Sequence, residues 1–277
     1  MDSLFSLFSP FIDYAFMKRA LAACLILSLS GTLLGVFITL RKMTLIGDAV
    51  SHSILPGIAI AFFLFGFAVV PMAIGGMSAG IIVALLAVLL IRFSSLKADS
   101  AITLIYLLSL SFGVILISIS ETNIDLSHFL IGDILSVDND SLILMSSIAV
   151  ITVFSLAVFY RSFIIQSFDE TQRNTKIEIV FYSLLIMNLI SSFFVFGILM
   201  GLAIILIPAI AARCLSKNID TILLLSIIIA MIGSFSGLIL SYCFDIPSGS
   251  AIVLILGIIC FASVGSEIFL KRRNISC

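Results

Sequence analysis

The chain has 277 residues, 62% of them hydrophobic and only 10% charged, with a formal net charge of −1. A soluble domain of this length has no interior that could hide so much apolar surface, and a near-neutral charge leaves no electrostatic footprint for nucleic acid. The composition therefore points to an all-α polytopic membrane protein, read as one transmembrane domain over residues 1–277.

The stretch SLFSLFSPFIDYAFMKR opens the chain with the length and mixed character of a helix lying in the membrane surface. Residues 20–40 then run without a charge; as a helix they rise about 31 Å, one hydrocarbon core. A cleaved leader has a shorter apolar run followed by a small-x-small site, whereas Arg41-Lys42 follows here. A retained first span is expected at 17–40. Further spans are expected at 46–67, 71–92, 100–119, 139–160, 178–197, 199–214, 220–243 and 249–270, which makes nine crossings, with eight as the alternative. The spans 178–197 and 199–214 read as a tight helical hairpin turning near Gly197 to Gly201. Residues 120–138 (SETNIDLSHFLIGDILSVD) are too polar to span; the piece HFLIGDILSV suits a short half-helix at the outer face. His128 and Asp133 lie there as secondary polar candidates, although an ordinary solvated loop would look the same. Residues 161–178 (RSFIIQSFDETQRNTKIE) form the longest inner loop.

Positive charge sets the orientation. Nine spans with a cytoplasmic C-terminus place Arg41, Lys42, Arg92, Lys97, Arg161, Arg173, Lys176, Arg213, Lys217, Lys271, Arg272 and Arg273 inside, leaving only Lys18 and Arg19 of the 14 Lys and Arg outside. Four G-x-x-x-G pairs (Gly31/Gly35, Gly76/Gly80, Gly197/Gly201, Gly233/Gly237) suit closely packed helices. The five cysteines are scattered without a C-x-x-C and read as small packing residues. Arg213, Glu178, Asp245 and Glu267 fall at span ends, where solvation accounts for them.

Asp48 and His52 differ. They sit in RKMTLIGDAVSHSILPG (residues 41–57), early in an apolar span, where an ionisable group is costly and faces a bundle interior or wet cavity. Residues i and i+4 share a helix face, so the pair can ligate one divalent cation or simply satisfy each other by hydrogen bonding. Pro56-Gly57 just beyond suits the kinked helices near which transport sites lie. Mixed oxygen and nitrogen ligands favour zinc or manganese over copper(I), magnesium or calcium. In a symmetric dimer with this face on the axis, two Asp and two His would complete the site. An intramembrane enzyme fits worse: Ser51 and Ser53 do not converge with the pair as a triad must, and H-E-x-x-H is absent from the sequence. A gradient-driven metal-ion carrier is the alternative function, but it needs a relay of several carboxylates and this chain offers one deep one. No G-x-x-x-x-G-K-[ST] occurs, so energy from ATP must come through another subunit.

Four ordered stretches resemble the permease subunits of bacterial zinc/manganese ATP-binding-cassette importers: RKMTLIGDAVSHSILPG, IDLSHFLIGDILSV, LIPAIAARCLSKN and YCFDIPSGSAIVL. The resemblance runs along most of the chain and implies a cobalamin/siderophore-importer-like permease fold in the bacterial inner membrane. It implies that Asp48 and His52 coordinate the transported Zn2+ or Mn2+ on a homodimer axis, with no tightly bound cofactor. It also implies two cytoplasmic ATP-binding subunits and an extracytoplasmic metal-binding protein as partners. Within 161–178, Phe168, Asp169 and Glu170 match the family's coupling segment, while Gln172 and Arg173 stand where its alanine is expected and no glycine follows. Zinc is the favoured ion, on the histidine and on the likeness of IGDILSV to zinc importers.

Overall fold

The computed structural model describes residues 14–44, 46–66, 68–93, 98–119, 137–168 and 174–275. These form α1 (Ala15–Leu40), α2 (Ile46–Ser53), α3 (Leu55–Phe65), α4 (Val69–Phe93), α5 (Ala98–Ile119), α6 (Asn139–Phe168), α7 (Thr175–Leu215), α8 (Ile219–Phe244) and α9 (Ser248–Ile275). Among the described residues, Ala15–Leu40, Asn139–Phe168, Thr175–Phe193, Ile219–Phe244 and Ser248–Phe269 are each long and apolar enough to cross a bilayer, and four shorter apolar stretches accompany them. The expected multi-pass, all-helical architecture is what the chain adopts.

α7 is the axle of the bundle. Although its helical ladder is nearly continuous, Gly197 has φ 76° and ψ 171°, a conformation only glycine adopts without strain. The chain reverses there: a Cβ on Gly201 would lie 2.4 Å from the Ser192 hydroxyl, so the two halves run side by side. This is the hairpin expected from the sequence. Around it pack α1, α2, α4, α6, α8 and α9. Phe37, Phe163 and Phe181 from α1, α6 and α7 are fully buried, with ring centroids 5.7 Å and 5.6 Å apart in succession.

The end of α1 shows why the basic residues gather where they do. Lys42 takes φ 58° and turns the chain back, its amide donating to the Thr39 carbonyl and the Met43 amide to Ile38, which satisfies two orphan carbonyls of the last turn. Arg213, at the end of α7, donates a further bond to the same Thr39 carbonyl. Its role is thus more than the solvated span end expected from the sequence. Arg41 places its guanidinium 4.2 Å from the centre of the Phe181 ring.

Two expected spans differ from what forms. α6 continues through Arg161 to Phe168, eight residues past the expected end at 160. A span ends at the membrane surface, but nothing forces its helix to end there, and α6 at 30 residues reaches about 45 Å. The connection to α7 therefore shrinks from 161–178 to the few residues before Asn174, whose side chain caps α7 by accepting from the Lys176 amide at 3.0 Å. The second span, expected as one helix over 46–67, is broken at Ile54 into α2 and α3.

Candidate metal site

Pro56 explains that break. It has no amide proton to give the carbonyl four residues earlier, and its ring crowds that turn. The regular ladder stops at Ser53 and resumes at Leu55 with Pro56 in its first turn; Ile54 between them keeps helical dihedrals (φ −82°, ψ −14°), so the two segments follow each other through a kink. The exposed ladder is tended from outside: the Ser109 hydroxyl of α5 donates to the Ser53 carbonyl at 2.8 Å. Two glycines let α3 and α4 meet closely beyond the break, since a Cβ on Gly57 would stand 2.1 Å from the Gly75 carbonyl oxygen.

His52 ends α2, half-buried, with its Nδ1 shielded from solvent. Its ring centroid is 6.3 Å from that of Tyr106 on α5, the planes inclined at 33°. Asp48 lies on α2 one turn earlier, in the i, i+4 register expected; its side chain is outside the described set. The start of α2 rests on the second half of α7, where a Cβ on Gly47 would come within 2.9 Å of Leu202. The pair thus belongs to a short, interrupted helix packed against α5 and α7. Among the described residues no three His, Cys, Asp or Glu side chains converge to hold a metal ion.

The other expected site residues fall elsewhere. Phe168 is the last residue of α6 and 66% exposed. Asp169, Glu170, His128 and Asp133 lie outside the described residues. Tyr106 and Ser109 went unread in the sequence, although TLIYLLSLSFG carries a signal. Tyr106, Ser109 and Gly113 recur at helical spacing and share one face of α5.

Comparison with known proteins adds lineage to this geometry. The model of the ABC 3 transport family matches residues 13–266. The manganese transport system membrane protein MntC of Listeria monocytogenes is 31% identical over 275 residues, covering 95% of this chain and 97% of its own. A probable iron transport system membrane protein of Haemophilus influenzae is 33% identical over 251 residues, covering 88% and 91%. Among solved structures, PsaBC from Streptococcus pneumoniae in complex with a Fab superposes with a TM-score of 0.80 at 26% identity, covering 98% of this chain and 99% of that one.

Proposed function

This chain belongs to the ABC 3 transport family, and on that premise we propose that Asp48 and His52 are the ligands a divalent metal ion meets as it passes through this permease. The chain is a transporter subunit and not an enzyme; ATP is hydrolysed by a separate subunit. The observation that carries the reading is a half-buried histidine, one turn after a carboxylate, at the end of an eight-residue membrane helix that stops before a proline. Interrupted helices deep in the membrane are where transported ions bind, because ligands there need not compete with a full helical ladder.

Two ligands from one chain replace only part of an ion's water. A second copy related by a two-fold axis supplies the other half, two carboxylates and two imidazoles in all. That set is strong enough to take the ion from water and sparse enough to release it. Relatives named for manganese and iron support Mn2+ as the first ion to test, ahead of the zinc that the sequence favours. Manganese is the weakest binder of the first-row divalent series, so charge and geometry must hold it. The basic end of the bundle, with Arg41, Arg213 and the last turns of α9, faces the cytoplasm in this reading. The exposed Phe168 then stands where an ATP-binding subunit would dock, with Asp169 and Glu170 just beyond.

The test is uptake per assembled complex in His52→Ala and Asp48→Asn. Loss of a metal ligand should nearly abolish transport, well beyond the about 0.6–1.7 kcal/mol of an interhelical hydrogen bond in membranes. Insertion and assembly should survive, since removing a buried charge eases insertion. Near wild-type uptake per complex in either variant would make the pair a mutually satisfied polar contact instead.

A further inference from the structure

Resting on the reading of His52 as a metal ligand, we propose that α5 carries a positioning stripe, Tyr106–Ser109–Gly113, that holds the broken second span so that His52 stays in register for the ion. Three contacts made by one helix face support it. The Tyr106 ring lies 6.3 Å from the His52 ring. Three residues on, the Ser109 hydroxyl donates to the Ser53 carbonyl at 2.8 Å. Four further on, Gly113 is buried against Pro56, where an added Cβ would sit 3.2 Å from the proline nitrogen and Cδ. The spacing is that of one stripe on a helix, so a single straight element touches the ligand, the break and the proline in turn.

A break is a joint. With Pro56 unable to donate, the ladder that would fix α2 against α3 is interrupted there, and the azimuth of His52 depends on what braces it from the side. A ligand must be held within about 0.5 Å of its working geometry to bind well. The Ser109 bond lands on the residue next to His52, which is where a brace acts with the shortest lever. The other hydroxyl on this part of α5, Ser111, is exposed and donates to Leu107 of its own helix, so it serves as an internal control.

The experiment titrates the purified permease bound to its ATP-binding subunit with Mn2+, reading free ion by electron paramagnetic resonance. Ser109→Ala should raise the apparent Kd about 3- to 18-fold, the equivalent of one interhelical hydrogen bond. Ser109→Thr, which keeps the hydroxyl, should bring it back, and Ser111→Ala should not move it. A merely structural role would lower the amount of complex recovered without changing the Kd of what is recovered. Should Ser109→Ala yield no complex, Tyr106→Leu carries the same expectation at the other end of the stripe. An unchanged Kd in the assembled variants overturns the proposal. Failure of both to assemble does so too, because α5 would then brace the fold and not the ligand. His52→Ala run alongside separates the two readings. If it binds Mn2+ like the wild type, the metal site itself is wrong; if it loses binding while Ser109→Ala does not, only the brace falls.

Discussion

Where α1 crosses the second half of α7, the helices meet backbone to backbone. A Cβ on Gly35 would stand 1.9 Å from the carbonyl oxygen of Ile205, and Arg213 ties off the end of α1. Where α5 runs along α2 and α3, it sets a phenol ring, a hydroxyl and a glycine against a helix interrupted at its proline. The first seam is packed backbone to backbone, with a polar tie at its end. The second has a joint, a bond that can be exchanged, and the ionisable pair. Packed interiors are stiff and shift between discrete arrangements, so motion concentrates where packing is already interrupted. The bundle therefore keeps its closest packing in the α1–α7 seam and places the Asp48–His52 pair in the other.

The two seams should differ most at their glycines. Gly35→Ala must push Ile205's backbone aside, and backbone cannot give as a side-chain tip can; the expected cost exceeds about 3 kcal/mol, the upper range for overpacking. Little folded protein should be extractable from membranes. Gly113→Ala meets Pro56 at 3.2 Å, at its nitrogen and Cδ, a far milder crowding that alanine's better helix propensity offsets by about 1 kcal/mol. Its thermal midpoint in detergent should stay close to wild type. Equal damage from the two substitutions would mean the seams do not differ in the way described.

A smaller effect lies inside the α6–α7 contact. Asn188 is buried, donating to Thr152 Oγ1 at 2.7 Å and to the Leu184 carbonyl at 2.9 Å, while its own Oδ1 is buried without a partner among the described residues. Thr152 has its own acceptor in the Ile148 carbonyl at 2.8 Å. Asn188→Leu removes a buried acceptor of the kind whose desolvation costs about 1–3 kcal/mol. The thermal midpoint should hold or rise. A clear fall would show that the amide is needed to register α6 on α7.

Most of this architecture was legible because lipid demands long apolar helices, and their ends are written in charge. The hairpin at Gly197 was legible too, since two half-length spans sharing a glycine-bounded turn leave few other solutions. The end of α6 was not: Arg161 reads as the end of a span, and a helix need not end where its span does. The break at Ile54 was hinted at by Pro56-Gly57, but a proline bends some membrane helices and interrupts others, and which occurs depends on neighbours. That neighbour is α5, and Ser109 meets Ser53 across 56 residues of sequence. The spacing of Tyr106, Ser109 and Gly113 is periodic but does not name the helix they meet, so Asp48 and His52 could be read from the cost of an ionisable group in the membrane while the contact with α5 could not.

The smallest effect tests a rim of the stiff region, at the start of α6. Asp138 caps that helix, its Oδ1 accepting from the Ser141 amide at 2.9 Å. Hydrogen bonds from the Ser141 side chain and then its backbone amide hold the Asp138 carboxyl below the ordinary carboxylate range. A depressed folded-state pKa means the cap's charge contributes fully above the unfolded value of about 3.9 and is lost as pH falls through the lower folded value. Asp138→Ala should fray the first turn, raising amide exchange at Ser141 about 2- to 30-fold, the span of a lost N-cap. Asp138→Asn separates the cap from its charge. Asparagine caps nearly as well, so exchange at pH 7 should stay close to wild type. On lowering the pH through the carboxylate range, the wild type should lose protection at Ser141 while the Asn variant keeps it. Parallel pH dependence in the two proteins would show that the carboxylate at 138 is not what holds this end, and that α6 is fixed instead by its packing on α7.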